Sequence, residues 1–144
     1  MSGRGFKILE GYEDKNIVLP TRKTAFSAGY DFQAAENIFV EEGKISVVPT
    51  GIKAFMPFDE VLLIYIRSSL AVKNNLMLAN NVGVIDADYQ DHILLPIVSF
   101  KGNFEIKKGM RIAQGIFQKY LTVDGDKIGE GEKRIGRFGS TGEF

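Results

Sequence analysis

Cysteine and tryptophan are absent from this chain of 144 residues, histidine occurs once, at His92, and proline only 4 times. Without cysteine there is no disulfide, no thiolate nucleophile and no Cys-ligated zinc, and one histidine alone cannot furnish a His-rich metal site. Apolar runs such as Val61 to Ile66 and Ile93 to Val98 fall far short of the ~20 residues a membrane helix requires. Met1 to Gly11 lacks the apolar core of a signal peptide, so a cytoplasmic protein with no membrane partner is expected. Charge of one sign is also lacking: 18 Lys and Arg balance 18 Asp and Glu. A general nucleic-acid binder needs a basic surface to displace counterions from phosphates, so that class is disfavoured and any anionic ligand must be held by a local cluster. No Walker-type phosphate loop, dinucleotide-binding Gly-rich turn, H-E-x-x-H pair or G-x-S-x-G elbow occurs.

Short runs rich in Val, Ile and Phe are separated by Gly, Pro, Asn and Asp at intervals of about 8–12 residues, the signature of an all-β sandwich, jelly roll or barrel. The spacing predicts strands at Lys44 to Val48, Ile52 to Phe55, Val61 to Arg67, Ile93 to Phe100 and Arg111 to Tyr120. Pro96 cannot donate to a ladder and is expected at a strand edge or bulge. One short helix is expected from Leu70 to about Asn74, capped by Ser68 and Ser69. A chain of this length buries roughly 68–70% of the surface its unfolded form exposes, enough for one core without staples. Asp124 to Gly131 reads as a loop, and the Gly-rich end from Arg134 to Gly142 as either a frayed terminus or a flap carrying arginines, an aromatic ring and hydroxyls.

Few segments set polar groups in apolar surroundings. Ala28-Gly29-Tyr30-Asp31-Phe32 places one carboxylate among small and apolar residues. Arg67-Ser68-Ser69 offers a guanidinium and two hydroxyls beside a helix start. Gly83 to Tyr89 reads as a strand entering a turn with two carboxylates and a phenol, and Arg111-Ile112-Ala113-Gln114 opens an apolar strand. Each has a plain structural reading: Asp86 and Asp88 as turn formers, Arg111 as a surface strand end, the Arg-Ser-Ser segment as a helix cap, His92 as a solvated turn residue.

Taken together and in order, these segments resemble the five motifs of the trimeric deoxyuridine triphosphate nucleotidohydrolases: AGYDF, RSSLA, GVIDADY, RIAQ and RIGRFGSTG, covering Ala28 to Gly142. The resemblance implies a jelly-roll-like β-clip subunit with one short helix, residues 1–132, followed by a flexible C-terminal flap, 133–144, in a homotrimer with sites shared between subunits. It implies hydrolysis of dUTP to dUMP and pyrophosphate, lowering dUTP and supplying dUMP for thymidylate synthesis. Asp86 would be the catalytic base that activates water against the α-phosphorus, and Tyr89 would pack under the deoxyribose. Backbone groups of the Asn80 to Ile85 hairpin, Gly83, Val84 and Ile85 among them, would read uracil, with the Asn80 side chain adding to them. Arg67, Ser68, Ser69 and Gln114 would contact the phosphates. The last motif would close over a neighbouring subunit's site, with Phe138 stacking on uracil, Arg134 gripping the γ-phosphate, and Gly139, Ser140 and Thr141 completing the contacts. Magnesium, Mg2+, would arrive on the phosphates and waters rather than on direct protein ligands, with Asp31 in its outer shell.

Elementary chemistry agrees with such a set, because phosphoryl transfer needs an in-line water, a base and positive groups where charge accumulates. The chain departs from the family in three places. Arg134 stands four rather than five residues before Phe138, with Lys133 at the five-residue position. Arg137 and Asp91 occupy places where the family usually has glycine. Two other readings are a dCTP deaminase relative and a nucleotide-responsive binding protein on the same scaffold.

Overall fold

Alternation of apolar and polar side chains commits one face of each strand to a shared core, and the structure shows how those faces meet. It is a computed structural model and describes residues 3–131 and 134. Phe138, Gly139, Ser140 and Thr141, with Lys133 and Arg137, lie outside the described residues. In chain order the elements are β1 (Gly5–Ile8), β2 (Tyr30–Gln33), β3 (Ile38–Val40), β4 (Ser46–Pro49), β5 (Ile52–Phe55), β6 (Glu60–Ile66), α1 (Ser68–Asn74), β7 (Leu76–Leu78), β8 (Gly83–Asp86), β9 (Leu94–Ser99), β10 (Phe104–Ile106) and β11 (Arg111–Lys119). The five expected strands are present with ends shifted by at most two residues.

All pairings are antiparallel. A four-stranded sheet runs β2-β11-β6-β8, a three-stranded sheet β4-β9-β7, and two pairs, β1-β5 and β10-β3, complete the jelly-roll-like wall. In β9 the side chains of Leu95, Ile97 and Ser99 point inward and those of Leu94, Pro96 and Val98 outward. Phe32, Leu62 and Ile64 from the larger sheet meet Val48, Leu76, Leu95 and Ile97 from the smaller in one core. Among the described residues no helix is long and apolar enough to cross a membrane.

Two local expectations are corrected. Pro96 lies in the central strand of its sheet, opposite Val47, and not at an edge. On its other side the β7 pairing ends at Leu78↔Ile97, and the Ala79 N–H donates to the Pro96 carbonyl at 2.8 Å. The N–H that proline lacks therefore falls where the ladder stops. The helix begins at Ser68 and its N-cap is Arg67, in extended conformation and with no side-chain cap hydrogen bond, so neither serine holds the capping position. Strand β6 runs straight through Arg67 into the helix, whose Leu70 and Ala71 N–H groups bond the Arg67 carbonyl at 3.1 and 3.2 Å. The serines thus stand past the capping position. Asn75, left-handed at φ 60°, ends the helix.

Candidate active site

Strand β8 is an outer strand of the four-stranded sheet, paired among the described residues with β6 alone, so part of its backbone N–H and C=O set faces away from the ladder. The chain enters it through a tight turn. Asn81 N–H bonds the Leu78 carbonyl at 2.9 Å, Val82 N–H bonds the Asn80 carbonyl at 2.7 Å, and Asn81 between them has φ 63°. A three-residue turn of positive φ is the strained kind, and asparagine tolerates it better than most residues. The strand leaves through a second turn, closed by Tyr89 N–H on the Asp86 carbonyl at 3.0 Å, as the sequence predicts.

A cleft of about 330 Å³ opens along this strand, lined by Asn80, Gly83, Val84, Ile85, Asp86, Tyr89 and Arg134 together with His92, Leu94 and Pro96. That volume is at the small end of ligand pockets. Seven predicted site residues are therefore brought together. Asp86 is half exposed, and Tyr89 is fixed at both ends, its hydroxyl donating to the His92 carbonyl at 2.6 Å. Arg134 reaches into the mouth of the cleft from the far end of the chain. Its Nε donates to Asp88 Oδ1 at 2.8 Å, its Nη2 to Asp86 Oδ2, and its guanidinium lies 5.8 Å from the centre of the Tyr89 ring. The hydrogen bond to Asp88, with the charges of both carboxylates, raises the pKa of Arg134 further above its ordinary value, against the opposing effect of burial.

The other predicted residues among those described, Asp31, Arg67, Ser68, Ser69 and Gln114, lie away from the cleft. Arg67 ends β6 and donates from Nη1 to the Arg111 carbonyl at 3.2 Å. Arg111 Nη1 is in turn paired with Asp31 Oδ2 at 3.2 Å. Gln114 stands between Asp31 on β2 and Tyr65 on β6, one strand from each, and its side chain packs on Gly29. Ser68 and Ser69 follow Arg67 in the first turn of α1. The sequence assigns Arg111 no role, yet it bridges Asp31 and Arg67. A bulge in β11 between Arg111 and Ala113 offsets the pairing with β2 there.

The two clusters sit at opposite ends of one strand. Asp86 is opposite Val61, at the start of β6, and Arg67 follows its end six residues later. At ~3.3 Å per residue that separates them by about 20 Å, farther than a triphosphate spans.

Comparison with known proteins adds a name to this arrangement. The family model described as dUTPase matches residues 15–142. The chain belongs to the dUTPase family. Its deoxyuridine 5'-triphosphate nucleotidohydrolase relatives include one from Lactococcus lactis subsp. lactis, 44% identical over 149 aligned positions and covering 99% of each chain. Another, from Rickettsia felis, is 42% identical over 130 positions, covering 86% of this chain and 88% of its own. Among solved structures, a dUTPase from Streptococcus mutans superposes with a TM-score of 0.79 at 41% identity, covering 84% of this chain and 99% of that one. All five motifs of the dUTPase resemblance fall within the span of the family match.

His92, expected as a solvated turn residue, is instead buried at 6% exposure. Its ring meets that of Tyr12 and accepts a backbone hydrogen bond from Gly51. Nothing within a few residues of it signals that burial; the partner is 41 positions away.

Proposed function

We propose that this dUTPase hydrolyses dUTP to dUMP and pyrophosphate with Asp86 as general base, in a homotrimer whose sites are shared between subunits. The observation that carries the reading is the placement of Asp86 at the end of an outer strand, beside free backbone edge on one side and the tethered ring of Tyr89 on the other. Those backbone N–H and C=O groups of Gly83, Val84 and Ile85 that face away from β6 read uracil; cytosine reverses donors and acceptors and strands buried polar groups at ~1–3 kcal/mol each. The Asn80 side chain adds to that edge. Tyr89 lies under the deoxyribose, where a 2′-hydroxyl would clash.

In the reaction, the Asp86 carboxylate takes a proton from a water as its oxygen bonds the α-phosphorus. The bond from that phosphorus to the oxygen bridging to the β-phosphate breaks, and the electron pair leaves with pyrophosphate. Arg67, Ser68, Ser69 and Gln114 from a second chain hold the phosphates, which the separation of the two clusters along β6 supports. On substrate entry Arg134 gives up its carboxylate partners for the γ-phosphate in a neighbouring subunit's site, which releases Asp86 of its own chain for the water. Residues 133–144 act as the closing segment, Phe138 on uracil and Gly139, Ser140 and Thr141 on the phosphates.

Magnesium enters bound to the substrate. Among the described residues no three His, Asp or Glu side chains converge, and the Asp31 carboxylate is already held by Arg111. That donor set suits an ion carried on phosphate oxygens and waters, with Asp31 acting through water. The setting in which dUTP is removed and dUMP supplied for thymidylate synthesis is the cytoplasm, with no nucleic acid or membrane partner. The deciding experiment is pyrophosphate release with magnesium from dUTP, dTTP, dCTP and UTP at equal concentration. Selective release from dUTP is expected; equal release from all four would refute the uracil and deoxyribose assignments.

A further inference from the structure

The ring of His92 takes no part in the hydrolysis proposed above, yet the residue is bonded to its surroundings at several points. It is buried and lines the cleft. Its Nε2 accepts the Gly51 N–H at 2.8 Å, its own N–H donates to Asp91 Oδ1 at 2.7 Å, and its carbonyl accepts the Tyr89 hydroxyl at 2.6 Å. The edge of its ring meets Tyr12 with centroids 5.0 Å apart. The donor is equally fixed. Gly51 has φ +70°, and a Cβ there would meet Tyr12 Cδ2 and Ile17 Cδ1 at 3.0 Å, so the turn keeps glycine and its buried N–H must find a partner. Next to it the Thr50 hydroxyl donates to the Ile93 carbonyl at 2.6 Å, and Ile93 N–H to the Ile52 carbonyl at 2.9 Å.

We propose that His92 is a positioning residue for sugar selection: by locking its ring to Gly51 it fixes the carbonyl that holds the Tyr89 hydroxyl, and so sets the wall that rejects ribonucleotides. The inference rests on the reading that Tyr89 packs under the deoxyribose. Steric rejection of one hydroxyl works only if the wall cannot yield. Tyr89 is held at its backbone by the Asp86 carbonyl and at its far end by His92. With both ends tied the ring cannot tip aside to admit a 2′-hydroxyl; with the far end loose it can. A supporting side chain of this kind is what keeps a selective group within a fraction of an ångström of its working position.

The test is kcat and KM for magnesium dUTP and magnesium UTP in the full-length wild type and four variants. His92→Leu fills the space without an acceptor, and His92→Gln keeps an acceptor at the reach of Nε2. Tyr89→Phe removes the hydroxyl tether alone, and Tyr89→Ala removes the wall. The expected result is a fall of about tenfold in the dUTP to UTP ratio of kcat/KM for His92→Leu and for Tyr89→Phe, carried mainly by a lower KM for UTP, with His92→Gln near wild type. An unchanged ratio in His92→Leu while Tyr89→Ala lowers it overturns the role of His92. An unchanged ratio in Tyr89→Ala overturns the underlying reading of Tyr89 and the proposal with it. If His92→Leu does not fold, an unchanged ratio in Tyr89→Phe still overturns the proposal, since the tether held by the His92 carbonyl would then play no part in selection.

Discussion

Gln114 of β11 occupies the space that a Cβ on Gly29 would need, its own Cβ 3.0 Å and its Cδ 3.1 Å from that position. The first and fourth motifs are thereby one packed unit. The far end of a glutamine can swing away, but its Cβ cannot, so a methyl group on Gly29 pushes the whole side chain off the face it shares with Asp31.

Gly29→Ala is therefore expected to raise KM for dUTP about tenfold, the loss of roughly 1.4 kcal/mol of phosphate contact, with kcat less affected. Thermal unfolding should show a smaller change than for a fully enclosed overpacked site, because Gln114 is only half-buried. A KM equal to wild type would mean that Gln114 does not reach the substrate.

Asp86→Asn keeps the shape of the side chain and one acceptor but cannot take the proton from water. Turnover is expected to fall by about 10²–10⁴-fold, with dUTP binding retained when measured by calorimetry. Normal turnover would assign the base elsewhere.

The separation of Asp86 from Arg67 along β6 predicts complementation between chains. Asp86→Asn and Arg67→Ala proteins should each be nearly inactive alone. Unfolded together and refolded as a mixture, they should regain activity, since about a quarter of shared sites then draw both intact halves by random association. Absence of recovery, with mixed trimers confirmed by mass spectrometry, would place both halves of the site in one chain.

Arg4 ties the start of β1 to the buried Glu60 at the head of β6, donating from Nε at 2.7 Å and from Nη2 at 2.5 Å. These hydrogen bonds hold the Glu60 carboxyl below its ordinary range, against burial, which pushes it up. A depressed pKa in the folded state means that the unfolded chain binds the proton first, so stability from this pair is present above the ordinary carboxylate value of about 4.3 and is lost as pH falls through the lowered one. Melting temperature followed from pH 7 downward should drop more steeply through that window in the wild type than in Glu60→Gln. Parallel curves would show that the pair contributes nothing to acid sensitivity.

Much of this protein is legible in the order of its residues. The alternation in Ile52 to Phe55 and in Leu94 to Ser99 reports strands, and five polar segments in sequence report the family, because side-chain period and motif identity are properties of neighbours a few residues apart. Asp86 at a strand end followed by a turn is visible for the same reason. The tertiary structure alone decided which of those segments meet. Register across β6 and β8 sets Asp86 opposite Val61 and leaves Arg67 at the other end, a division that no local pattern encodes. Gly29 owes its identity to Gln114, His92 its burial to Gly51, and the missing N–H of Pro96 its harmlessness to the point where β7 stops. These depend on contacts between residues far apart in the chain, fixed by the pairing of strands and the packing of two sheets on one core, and they come into being only when the chain has folded.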